Sequence, residues 1–277
     1  MNAYLEIIRP GNAVMTVIAV LLVILISGNF TLNSLLACIV VFMVIGGGNA
    51  INDYFDHKID AINKPKRPIP SGRISLKAAR IYALTLFVIG TIIAYIIELL
   101  PGLIALFASI MLTLYAYNLK KMPLIGNIVV SLFVGLAFVF GAVVVNEPLI
   151  SIVAISPFFI TMMREIVKDM EDVEGDKKEG AKTLPIIYGS KSSAIIAAVS
   201  MILCVVISPI PFFIGVLTIF YLPVLFIGDM IFVLCGISII RDHSIENAIK
   251  VSKRVKIGML IILVSYAVGS PFLMSLI

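Results

Sequence analysis

The 277 residues are 61% hydrophobic and only 13% charged, with a mean hydropathy of +1.13, whereas soluble domains carry about a quarter charged residues. That balance excludes a soluble globule and indicates a polytopic membrane protein. The formal charge of +5 reflects 21 Lys and Arg against 16 Asp and Glu; the expected surroundings are a lipid bilayer, and no nucleic-acid partner is expected.

At about 20 apolar residues per crossing, nine spans are predicted, at roughly 11–27, 33–52, 76–97, 101–117, 124–145, 149–167, 192–208, 211–235 and 255–275. They make an all-α membrane bundle that occupies residues 1–277 as one domain. The first span follows Arg9-Pro10 directly and lacks a small-residue cleavage site, so it reads as a retained span rather than a signal peptide. Arg9 and Asn12 stand at its entrance. Cys38, Cys204 and Cys235 each fall within an apolar run and read as small buried hydrophobes.

The second span ends in Asn52-Asp53-Tyr54-Phe55-Asp56-His57-Lys58-Ile59-Asp60. If the helix continues through this stretch, Asp53, Asp56 and Asp60 at i, i+3 and i+7 project from one face. A basic, proline-rich loop follows, with Lys66, Arg67 and Arg73. Lys120 marks the exit of span four. At the end of span six the acidic spacing recurs as Asp169, Asp172 and Asp176, each 116 residues after its counterpart, and Lys182 follows as Lys66 does. Two spans separated by an even number of crossings run the same way, so the offset suggests a parallel internal repeat of about four helices. Glu165, Glu171, Glu174 and Glu179 stand outside the repeated register and read as solvated or loop-stabilising.

The cations test the span count. They fall before span one and in, or at the span ends beside, the connections two to three, four to five, six to seven and eight to nine, while the alternate connections hold only Glu98 and Glu147 among charged residues. By the positive-inside rule the N-terminus, the long loops and both acidic triads are cytoplasmic and the C-terminus is outside. Asp229, inside span eight, is expected to face the bundle or the interface.

Six facing carboxylates repel one another unless cations neutralise them. Every candidate ligand is an oxygen, from Asp or the Asn52 amide, which favours a hard ion such as Mg²⁺ over zinc. Mg²⁺ usually joins one or two carboxylates to phosphate oxygens, so two acidic banks suggest a clamped diphosphate. Arg67 and Lys182, in loops stiffened by proline, are the better phosphate candidates, with Lys120 closing from a third side.

These motifs resemble the UbiA superfamily of intramembrane prenyltransferases: Asn52-Asp53-x-x-Asp56-x-x-x-Asp60 followed by Lys64 to Gly72, and Asp169-x-x-Asp172-x-x-x-Asp176 followed by Lys182-Thr183-Leu184-Pro185. The resemblance implies a bundle around a central cavity, capped by the cytoplasmic loops after helices two and six. It implies transfer of a prenyl group from a polyprenyl diphosphate with Mg²⁺, the metal held by Asn52, Asp53, Asp56 and Asp60 in one bank and by Asp172 and Asp176 in the other. Asp169 is catalytic in that reading but less general as a ligand. The form Asp-Met-Glu-Asp-Val-Glu-Gly-Asp looks most like members whose acceptor is a phosphorylated isoprenoid glycerol, geranylgeranylglyceryl phosphate. Others take aromatic or quinone-precursor acceptors. Arg9, Asn12 and Arg73 would hold the acceptor.

Two other classes compete. A CDP-alcohol phosphatidyltransferase also spaces aspartates around metal, but its combined Asp-Gly and Ala-Arg elements do not accompany these acids. A cation transporter would need ionisable residues continuing to the opposite face, where the spans offer only Asp229.

Overall fold

The computed structural model describes residues 2–178 and 180–276, which contain helices and no strand. The helices are α1 (Ala3–Ile7), α2 (Pro10–Ser27), α3 (Leu32–Asn63), α4 (Leu76–Ile97), α5 (Leu99–Tyr117), α6 (Ile125–Val144), α7 (Ile155–Glu171), α8 (Val173–Lys178), α9 (Leu184–Ile207), α10 (Ile210–Phe213), α11 (Tyr221–Arg241), α12 (Ile245–Val268) and α13 (Pro271–Met274). A 3₁₀ turn, Pro148–Ala154, leads into α7. Among the described residues, eight helical segments are long and apolar enough to cross a membrane, one fewer than the sequence predicts.

The difference lies in α12. This helix, Ile245–Val268, is capped by Ser244, whose side chain accepts the Asn247 amide, and by Gly269; it begins ten residues before the expected span 255–275 and ends seven residues before it does. Its first half therefore includes Lys250, Lys253 and Arg254, which the sequence reading left in a loop, as well as Lys256. A Cβ at Gly269 would stand 2.6 Å from Tyr221 Cβ, so the helix ends where it packs against the start of α11. The eighth segment also shifts. Pro209 and Pro211 confine α10 to one turn, Gly215 turns with φ +77°, and α11 begins only at Tyr221.

Contacts define two ends of the bundle. At one, the Asn49 amide donates to Ile8 O (2.8 Å), joining α3 to the entrance of α2. At the other, Asn29 donates to Val145 O (3.3 Å), Tyr266 to Val153 O (2.9 Å) and Ser270 to Leu25 O (2.6 Å). Ile8, at the entrance of α2, and Ser270, which caps α13, thus lie at opposite ends. α12 runs the height between them, from Asn247, bonded to Ser238 at the foot of α11, to Tyr266.

Consecutive glycines let the helices close on α3. A Cβ at Gly47 would meet the Phe87 ring at 2.9 Å and one at Gly48 would meet Leu112 at 3.0 Å, so α4 and α5 both approach its backbone. Small residues at such crossings are how apolar helices gain packing where lipid offers no hydrophobic drive.

Candidate active site

At 32 residues α3 is about 48 Å long, well beyond a hydrocarbon core of about 30 Å. Its last three turns therefore project, and they carry the first acidic bank. The helix is continuous through Asp60, as the spacing predicts. Asp53 and Asp60 are buried, at 3% and 4% exposure, and they share one guanidinium: Arg67 Nη1 donates to Asp60 Oδ2 at 2.6 Å and to Asp53 Oδ1 at 3.2 Å. Arg9 also donates to Asp53 Oδ1. Arg67 reaches back because the chain turns at Gly72 (φ +74°) and folds Ile74 N onto Pro68 O (3.1 Å).

Asp56 is bound differently. Asn52 Nδ2 donates to its Oδ2 (2.9 Å), and Lys120 Nζ donates to its Oδ1 and to Asn52 Oδ1 (3.1 Å). Burial pushes the Lys120 ammonium below the ordinary lysine value, and the Asp56 carboxylate opposes that shift.

The second bank does not repeat this geometry. α7 ends at Glu171, and Asp172 is its exposed C-cap at φ −91°, ψ 4°. The chain restarts as α8, so the second triad is not on one continuous helix. Asp176 lies in α8, and its carbonyl accepts Ala181 N at 3.0 Å. Asp169 turns inward, where Asn127 Nδ2 donates to its Oδ2 at 2.9 Å.

Beside Asp169 lies a polar cavity of about 300 Å³ lined by Tyr115, Lys120, Asn127, Glu165, Asp169 and Thr183 among others. Glu165, expected to be solvated, lines this cavity and accepts from Arg164 at 2.5 Å. Glu179 lies outside the described residues. The Thr183 hydroxyl is buried beside the cavity without a partner among the described residues. One helical turn further in, Leu112 and Phe133 begin an apolar crevice of about 390 Å³ between α3, α5 and α6. The polar chamber and the apolar crevice both take lining residues from α5 and α6.

The remaining candidates are scattered. Lys182 is exposed on the loop before α9, and Asn12 is exposed in the first turn of α2. Arg73 is drawn away to Glu6, with bonds of 2.6 and 2.9 Å, and holds that carboxyl below its ordinary value.

Sequence reasoning passed over Asn127. A signal existed: Gly126-Asn127 repeats Gly11-Asn12 at an offset of 115. Each pair follows a residue in the left-handed region, Arg9 (φ 48°) and Leu124 (φ 64°), which opens α2 and α6 respectively.

The donor set fits a hard divalent ion by its chemistry, all oxygen from Asp and Asn. Among the described residues no three acidic, His or Cys side chains converge on one point; Arg9, Arg67 and Lys120 hold the first bank's carboxylates instead.

A helical bundle with paired acidic banks above an apolar cleft defines an intramembrane transferase, and the chain belongs to the UbiA prenyltransferase family, whose profile matches residues 13–268. Among relatives, the digeranylgeranylglyceryl phosphate synthase of Methanothermobacter thermautotrophicus is 47% identical over 98% of this chain and 96% of its own. That of Methanosphaera stadtmanae is 44% identical over 98% and 100%. A solved digeranylgeranylglyceryl phosphate synthase structure superposes with TM-score 0.88 at 40% identity, covering 97% of each chain. A UbiA homologue from Archaeoglobus fulgidus bound to GPP and Mg²⁺ shares the fold, with TM-score 0.70 at 18% identity and coverage of 94% and 99%.

Proposed function

We propose that this protein transfers a geranylgeranyl group from geranylgeranyl diphosphate to geranylgeranylglyceryl phosphate, releasing diphosphate and forming a diether lipid precursor. The observation that carries this is the 47% identity, over 98% of the chain, to an enzyme of that name. Mg²⁺ would be held by Asn52, Asp53, Asp56 and Asp60 on one side and by Asp172 and Asp176 on the other. When bound, it supplies positive charge to the departing diphosphate.

Residues of the chain do the rest. Arg67, Lys120 and Lys182 bring further cations to the diphosphate, and the first two exchange carboxylate partners for phosphate oxygens as it arrives. The prenyl tail lies in the apolar crevice, whose walls exclude water from the allylic carbon as its C–O bond breaks. The acceptor hydroxyl oxygen then bonds that carbon and loses its proton, and the C–O electron pair leaves with diphosphate. Asp169, oriented by Asn127, borders the chamber where this occurs. Arg9 and Asn12 at the rim face the acceptor phosphate.

The membrane arrangement proposed with this has nine crossings, α12 being the ninth, with the acidic banks cytoplasmic and the C-terminus outside. In its support, none of the 21 Lys and Arg occupies the connections at the far end, 28–31, 98, 145–147, 208–220 and 269–277. A reporter fused at the C-terminus is expected to read as non-cytoplasmic.

The deciding assay offers purified protein geranylgeranyl diphosphate, Mg²⁺ and two acceptors, geranylgeranylglyceryl phosphate and a hydroxybenzoate. Diether formation on the glyceryl phosphate is expected. Prenylation of the aromatic acceptor alone would overturn the lipid assignment.

A further inference from the structure

α11 and α12 run antiparallel, and three contacts fix their register. Asn247 Nδ2 donates to Ser238 O at 3.1 Å, a Cβ at Gly228 would stand 3.5 Å from Gly258 O, and one at Gly269 would stand 3.1 Å from Tyr221 Cα. Lys250 is thereby level with Ile237, and Lys253 and Arg254 with Leu234, to within about one helical turn.

The two helices differ at that level. Along the outward side of α11, Leu234, Ile237 and Ile240 are exposed, so an apolar surface continues to Arg241. Beside it α12 exposes Lys250, Lys253 and Arg254. Residues 250, 253, 257, 260 and 264 follow one another at three and four positions and so share one face, and all five are exposed. That face is cationic at Lys250 and Lys253 and apolar from Ile257 through Leu260 to Val264, with Arg254 flanking the change.

Among the described residues, none of these three cations enters an ion pair, although the field of Lys250 reaches Asp242. An unpaired cation against lipid is costly. Helical side chains lean toward the N-terminus of their helix, which carries these heads toward the level where α11 finishes at Arg241. Their stems can lie along the apolar flank while the charges reach the headgroup layer. What neutralises them there is an anion carried in that layer.

We propose that Lys250, Lys253 and Arg254 bind the headgroup of an anionic phospholipid of the surrounding bilayer. Net negative charge complements the cluster, whereas the phosphate of a zwitterionic lipid carries its own cation. Each Lys or Arg engaged favours the anionic lipid about fivefold. Leu234 of α11 and Ile257 of α12 then meet the upper acyl chains of the same lipid. The inference rests on α12 as a membrane crossing and is independent of the transfer reaction.

The chain contains no tryptophan, so Ile257→Trp introduces a single fluorescent reporter one turn beyond Lys253. The full chain with this substitution is placed in phosphatidylcholine vesicles holding a small share of brominated lipid, either phosphatidylglycerol or phosphatidylcholine, and quenching is measured. Brominated phosphatidylglycerol is expected to quench about fivefold more effectively, or better. The excess should shrink as salt is raised and disappear when Lys253→Gln and Arg254→Gln are added. A reporter at Ile110→Trp, on the exposed side of α5, is expected to show no excess. Equal quenching by the two lipids at Ile257→Trp, or an equal excess at Ile110→Trp, overturns the proposal and leaves α12 facing lipid. Quenching by neither lipid also overturns it, since protein, such as a second copy of the chain, would then cover the flank.

Discussion

The two acidic banks share a spacing and differ in nearly everything else. The first sits on an unbroken helix, with Asp53 and Asp60 buried under a single arginine and Asp56 bridged to Lys120. The second is split by a helix end at Asp172, which is exposed, and its inward acid is held by a neutral amide. Identical spacing therefore specifies which residues gather, while the partners decide their state. The first bank's acids are held by cations of the chain, and Asp169 of the second by a neutral amide.

The largest expected effect comes from removing one carboxylate from each side. Asp56→Asn and Asp172→Asn should each reduce Mg²⁺-dependent diphosphate release at least a hundredfold, because a clamp needs both jaws. Near-normal turnover by either would mean that one bank suffices. The variants should differ in another respect: Asp56→Asn also leaves Lys120 half-buried without its acid, so it should lower the unfolding temperature, whereas Asp172→Asn should not.

Arg67 sharpens the contrast. Its loss would take from Asp60 the guanidinium it accepts from and leave Arg9 as the arginine on Asp53. Removing one member of a buried pair costs about 3–5 kcal/mol. Arg67→Ala is thus expected to reduce thermal stability by roughly 3 kcal/mol, measured on protein without substrate. Lys182→Ala, at the exposed second bank, should leave stability unchanged while weakening donor binding.

How much of this was legible follows from the forces involved. Six long spans and both banks are legible because apolar length and acid spacing are local properties of the chain. The last two long helices are misplaced for a local reason too: Gly215 and the prolines at 209 and 211 interrupt an apolar run that composition alone reads as continuous. Cations suited to a loop sit instead in the first half of α12 because its end is fixed by packing of Gly269 on Tyr221, a contact 48 residues distant in sequence. The reach of Arg67 back to Asp53 and Asp60 depends on the folded path of residues 68–74. Asn127 was within reach of the sequence, through the repeated Gly-Asn pair, but only the structure gives that pair a partner.

Asn127 offers a smaller test of the second bank. Hydrogen bonds to charged groups contribute about 1.5–3 kcal/mol, so Asn127→Leu should lower kcat about ten- to hundredfold if the orientation of Asp169 matters. An Asn127→Asp variant would place a second carboxylate against the first and should lose more. Equal activity in all three would leave Asp169 without an orienting partner of consequence.

The smallest effect is expected at Arg73, and it separates sequence from structure most directly. By sequence this arginine is a candidate for the acceptor phosphate; in the fold it is 41% exposed and bidentate to Glu6, with a further bond to Lys66 O at 2.6 Å. Such an exposed pair contributes little, and its strength falls with salt. Arg73→Ala should therefore leave the unfolding temperature nearly unchanged and the acceptor KM within about twofold. Arg9→Ala, which uncovers Asp53 at the rim of the site, should raise the acceptor KM about tenfold by comparison, a charge-assisted contact being the stronger kind. If instead Arg73→Ala raised the acceptor KM as much as Arg9→Ala does, Glu6 would have to release Arg73 when the acceptor binds. The α1 segment would then belong to the acceptor site.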